Sequence, residues 1–237
     1  MTSSTGADQA STDATEPVTG TDARAGDGAA GAGTSVAHPL SAATVAGHPV
    51  GRRCFGDGDP LYERYHDEEW GRPVHGDREL YERMSLEAFQ SGLAWITILR
   101  KREGFRAAFA GFDAETVAGY DDHDVERLMQ DATIVRNRAK ITATIANARA
   151  LLDLHAAGRT LDDVVWAHAT PADAHVQRRS FADLPATTPA SVALAKELKK
   201  LGFRFVGPTT AYAAMQACGL VDDHLADCPV VLARAAR

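Results

Sequence analysis

The sequence predicts an all-α domain behind a long N-terminal appendage, and three observations carry that reading. Helix caps and stops punctuate the chain from Gly51 onward, no two-residue hydrophobic period persists, and all 16 aromatic residues and three cysteines fall after residue 50. Residues 1–50, rich in Ala, Gly, Thr and Ser, have no large ring to bury and cannot offset the entropy of ordering. They are expected to form a disordered arm, with one folded domain at residues 51–237.

The elements follow in order. Asp77 can cap a helix starting at Arg78, whose apolar residues Leu80, Met84, Leu93, Ile96 and Leu99 recur at helical spacing. Asp113 precedes AETVAGY, and Asp121 and Asp124 open VERLMQ. Thr160 starts a capping-box-like TLDD. Thr188 and Pro189 provide a cap and a pre-set first turn for ASVALAKELKKL, which Gly202 stops. Gly207 and Pro208 set off a last helix around TTAYAAMQACGLV, for about eight to ten short helices in all, without a 20–50 residue repeat.

Charge narrows the function classes. The first 50 residues hold five acids against Arg24, so they carry −4 of the net −7 and leave −3 for the domain. That balance argues against coating nucleic acid through bulk charge, though it allows a local basic face. No apolar run reaches the roughly 20 residues of a membrane span, and the N-terminus lacks the pattern of a secretory signal. A soluble, cytoplasmic, monomeric protein with no membrane partner is expected.

Three cysteines fit a disulfide framework poorly. Cys54-x11-His66 near one end of the domain and His224-x3-Cys228 near the other instead make a soft, tetrahedral donor set of the kind structural zinc takes. If residues 224–228 are helical, His224 and Cys228 lie on neighbouring turns of one face. The alternative is chance, since nine histidines offer many pairings; Cys218, in MQACGL, reads as a buried core residue.

Glu87 is the second constellation. At about 100° per residue, with Leu80 at zero, Met84 falls near ~40°, Glu87 near ~340°, Ser91 near ~20° and Trp95 near ~60°. The acid therefore points where the core points, provided the helix survives Gly92. It is either half of a buried ion pair or the wall of a pocket. Phe55, Tyr62, Tyr65, Trp70 and Trp95 crowd the flanking segments, forming either an aromatic core or a site for a planar, cationic ligand.

Together these segments resemble the 3-methyladenine DNA glycosylase I family, within the helix-hairpin-helix glycosylase superfamily. The resemblance is carried by Arg53-Cys54, DPLYERYHDEEWGRP (59–73), LEAFQSGLAWITILRKRE (86–103), LMQDATIVRNRAKITATIANA (128–148), LKKLGFRFVGPTTAYAAMQACGLVDDH (198–224) and Cys228. It implies a DNA glycosylase that flips 3-methyladenine from alkylated duplex DNA and hydrolyses its N-glycosidic bond, the first step of base excision repair. It also implies a structural zinc on Cys54, His66, His224 and Cys228, joining the ends of the domain. Glu87 falls on the family's base-binding glutamate, Tyr65 and Trp95 on its stacking residues, and Tyr62 and Trp70 on further pocket wall.

DNA contacts are expected from Gly92 and Leu93, at the end of the Glu87 helix, and from Arg136, Arg138 and Lys140 beside the hairpin DATIVRNRAK. The chain departs from the family pattern in two places. The hairpin lacks the usual glycine, and FGDG follows Cys54 where the family has a tryptophan two residues after the cysteine. Two other classes compete: a non-catalytic zinc module that binds nucleic acid, which gives Glu87 no purpose, and a zinc hydrolase, which four protein ligands would leave without an open position for water.

Overall fold

A computed structural model describes residues 51–171, 174–176 and 178–236, so the expected arm lies outside the described residues. Among the described residues the fold is ten α-helices with short 3-10 turns and no strand; one isolated bridge pairs Arg178 with Leu225. No described helix is long and apolar enough to cross a membrane.

Helix α1 (Pro60–Glu68) starts on Asp59, whose carboxylate accepts from the amides of Leu61 and Tyr62. Helix α2 (Asp77–Gln90) buries Leu80, Tyr81, Met84, Ser85, Leu86, Glu87, Ala88 and Phe89. It does not continue through Gly92, which takes φ +84 in a turn; α3 (Trp95–Ala108) starts afresh at Trp95. Asp77 does not cap its own helix as expected. Gly76 is the N-cap, and the Asp77 carboxylate instead accepts from the amides of Leu161 (3.0 Å) and Asp162 (2.9 Å). A distant helix start thus takes the acceptor, because orphan amides accept partners from anywhere in the fold.

The other expected caps form. Asp113 caps α4 (Ala114–Ala118), and Asp121 with Asp124 closes a capping box on α5 (Asp122–Gln130). Asn137 caps α6 (Arg138–Ala156), the longest helix, whose start follows the hairpin segment. Thr160 caps α7 (Leu161–Trp166), and Thr188 with Pro189 starts α8 (Pro189–Lys200). Pro208 opens α9 (Pro208–Ala217), and α10 (Pro229–Ala235) follows Cys228.

Helix α2 lies against α3, α6, α7 and α9. The Tyr81 hydroxyl donates to the Thr144 carbonyl of α6 at 2.8 Å, pinning the two helices inside the apolar core. Glu87 is thereby fixed on a helix held on several sides, which suits a group that must keep its position.

Candidate functional site

Glu87 opens into a cavity of about 310 Å³, within the usual size range of ligand pockets. Its walls come from the α1 region (Phe55, Tyr62, Tyr65, Trp70), from α2 and α3 (Glu87, Gln90, Trp95), and from α9 (Thr209, Tyr212, Ala213, Gln216). Phe181, Leu184, Pro185 and Ala186 close another side. All four expected pocket aromatics therefore meet Glu87. The Tyr65 and Trp95 rings are tilted with centroids 5.2 Å apart. Phe55 is part of the wall, its ring 4.9 Å from Tyr62 and 5.1 Å from Trp70.

The α9 residues were not singled out from the sequence. Positions 209, 212, 213 and 216 nevertheless trace one helical face, and that stripe was the available signal. Phe181 to Ala186 had none, because an irregular segment reaches a pocket only through tertiary packing.

Electrostatics separate the two readings of Glu87. Burial pushes its carboxyl up to about 8, against the nearby positive charge of Arg83. Arg83 directs its guanidinium to Glu69 at 2.8 Å, and Glu69 also binds Arg102 at 2.6 and 3.0 Å. The arginine one turn before Glu87 pairs with another carboxylate through Nη2, while its buried Nη1 has no hydrogen-bond partner among the described residues. Glu69 sits below the usual carboxylate range because these two arginines outweigh its burial. Tyr62 is pushed up to about 12, and Tyr65 well above the usual tyrosine range, by burial and the charge of Glu87, so both keep their protons at neutral pH.

Beside the cavity, Cys54, His66 and Cys228 bring their ligand atoms within 4.8 Å of one another, all buried, so that they could hold a metal ion. His66 turns Nε2 towards Cys228 Sγ at 3.5 Å, because Nδ1 is held by Asp67 Oδ1 at 2.7 Å. Asp222 Oδ1 holds Nδ1 of His224 in the same way at 2.7 Å. A carboxylate behind each histidine is the usual support of a metal ligand. The amide of Leu225 donates to Cys54 Sγ at 3.2 Å, and bonds from Cys54 and His66 bring the Cys228 thiol below its usual value despite burial.

His224 lies beside the trio, its ring centroid 5.2 Å from that of His66. Residues 224–228 are not helical, so the condition under which His224 and Cys228 would share one helix face is not met. Residues 222–228 are an irregular turn, closed by the Cys228 amide on the Leu225 carbonyl, and Cys228 is the N-cap of α10. Gly71 lets the chain approach: a Cβ there would lie 2.7 Å from the His224 ring, and φ is +71.

The expected DNA-facing residues divide. Leu93 is 42% exposed at the turn after α2, and Arg136 is exposed. Arg138 is exposed but pairs with Glu126 at 2.7 Å. Lys140 is the exception, only 7% exposed, its ammonium donating to the carbonyls of Phe89 (2.9 Å) and Ser91 (2.6 Å). Those two carbonyls at the end of α2 need a donor, and a lysine on the facing helix provides it.

Residues 55–231 match the model of the methyladenine glycosylase family. DNA-3-methyladenine glycosylase 1 of Escherichia coli (strain K12) is 49% identical over 170 residues, 72% of this chain and 91% of that protein. A crystal structure of 3-methyladenine DNA glycosylase I superposes with a TM-score of 0.71 at 49% identity, covering 75% of this chain and 98% of that one. A tyrosine-to-phenylalanine variant of a 3-methyladenine DNA glycosylase I, solved in complex with 3-methyladenine, gives 0.70 at 34% identity, covering 75% and 95%. With a buried glutamate in an aromatic cavity and a match over most of the described residues, the chain belongs to the methyladenine glycosylase family.

Proposed function

We propose that this chain is a monofunctional DNA glycosylase that flips 3-methyladenine out of alkylated duplex DNA and hydrolyses its N-glycosidic bond, the first step of base excision repair. The observation that carries this reading is Glu87, buried at a cavity walled by Tyr62, Tyr65, Trp70 and Trp95. Methylation at N3 places positive charge on adenine and weakens the bond to the sugar, so selection and positioning are the main tasks. Tyr65 and Trp95 offer ring faces to the cation, and Glu87 accepts hydrogen bonds from the base edge while its charge favours the cation. The base leaves neutral with the electron pair of the N-glycosidic bond, and water adds to the sugar carbon and releases one proton to solvent.

Leu93, on the Gly92 turn, is placed to fill the gap left by the flipped base, and Arg136 and Arg138 to meet phosphates. The metal is zinc, held by Cys54, His66, Cys228 and His224, and its role is to fasten the two ends of the domain. The deciding experiment identifies the bases released from methylated duplex DNA. Free 3-methyladenine is expected, and intact DNA after binding would favour the non-catalytic module.

A further inference from the structure

Asp223 stands behind the α9 wall of the cavity, 3% exposed. Its Oδ2 accepts from the Tyr212 hydroxyl at 2.5 Å and from Gln216 Nε2 at 2.9 Å, and its Oδ1 faces Arg178 Nε at 3.8 Å. A carboxylate only accepts, so it dictates how both neighbours are turned. The one hydrogen of the Tyr212 hydroxyl is spent on Asp223, and the Gln216 amide is oriented with its carbonyl oxygen away from the carboxylate. Burial and that bond also raise Tyr212 above the ordinary tyrosine range, which keeps the hydrogen in place. Tyr212 and Gln216 both line the cavity; the Tyr212 hydroxyl has only oxygen lone pairs left for a ligand, whereas Gln216 keeps its carbonyl oxygen and its second N–H.

We infer that Asp223 is a positioning residue for specificity, locking Tyr212 as an acceptor so that the pocket prefers an alkylated purine with a 6-amino group over one with a 6-carbonyl. The inference rests on the base-pocket reading above. An amino group has two hydrogens, enough for Glu87 and for the Tyr212 oxygen together, whereas a carbonyl at that position sets its lone pairs against those of Tyr212. A pocket whose polar groups are committed in this way discriminates against a ligand that leaves them unmatched.

The test is calorimetric binding of free 3-methyladenine and 3-methylhypoxanthine to the full chain and to Asp223→Asn, Tyr212→Phe and Glu87→Gln, each with a denaturant melt. In Asp223→Asn the new amide can donate to the Tyr212 oxygen, which releases the Tyr212 hydrogen into the pocket. The preference for 3-methyladenine should then fall by about ten- to a hundredfold, with 3-methylhypoxanthine gaining. Tyr212→Phe should narrow the preference by weakening 3-methyladenine alone, and it keeps the test open if Asp223→Asn does not fold. Equal losses for both bases, or an unchanged ratio in folded variants, would overturn the inference. If Glu87→Gln leaves both affinities unaltered, the base-pocket reading itself fails; if it weakens binding while the ratio ignores Asp223, only this inference does.

Discussion

The ammonium of Lys140 lies 2.6 Å from the carbonyl oxygen of Ser91, tying the first turn of α6 to the end of the helix that carries Glu87. Lys140→Met should therefore behave as a structural change. The buried Phe89 carbonyl and the partly buried Ser91 carbonyl lose their donor, at a cost of about 1–3 kcal/mol. The salt dependence of DNA binding should not move. Arg136→Ala should instead reduce the slope of log affinity against log salt by about one, with stability unchanged. A Lys140→Met slope that drops like that of Arg136→Ala would return the lysine to the DNA interface.

Glu87 predicts the pH dependence of excision. With its carboxyl near 8, Glu87 is mostly protonated at pH 6 and gains the charge that favours a cationic base as pH rises. Single-turnover excision from methylated duplex DNA should speed up from pH 6 towards 8 and then level off. The same assay on Glu87→Gln should give a slower, flat profile, and a wild-type profile equally flat would contradict this role.

The same group sets the sign of a stability effect. Its carboxyl is raised from 4.5 to about 8 on folding, so its contribution is fully present below pH 4.5 and is lost as pH rises through the folded value. Glu87→Gln lacks that loss. Denaturant melts should show the variant gaining on the wild type between pH 5 and pH 8. A variant that instead loses stability at pH 8 would point to a buried ion pair.

The metal group makes a prediction of composition. Elemental analysis of the purified chain should find about one zinc per molecule, and Cys54→Ser should remove it and lower stability by several kcal/mol. Folded protein without metal would refute the zinc assignment.

Residues 1–50 contain no aromatic residue. Deleting residues 1–45 should leave melting temperature and base release unchanged. Loss of folding on truncation would show that the segment packs against the domain.

Much of this protein was legible in its sequence, because caps, apolar spacing and residue chemistry are local. Asp113, Asp121, Thr160 and Thr188 start helices where their short side chains reach the next free amides. Glu87 lies on the core face that its spacing indicated, and Cys54, His66 and Cys228 meet from opposite ends of the domain. Only the tertiary structure decided which partner each polar group takes. Asp77 reaches α7 instead of its own helix, Lys140 turns inward to α2, and Arg83 chooses Glu69. It also brought the α9 face and Phe181 around Glu87 to complete the cavity. These choices join residues many positions apart, and the orientation of packed helices determines which of them come within hydrogen-bonding reach.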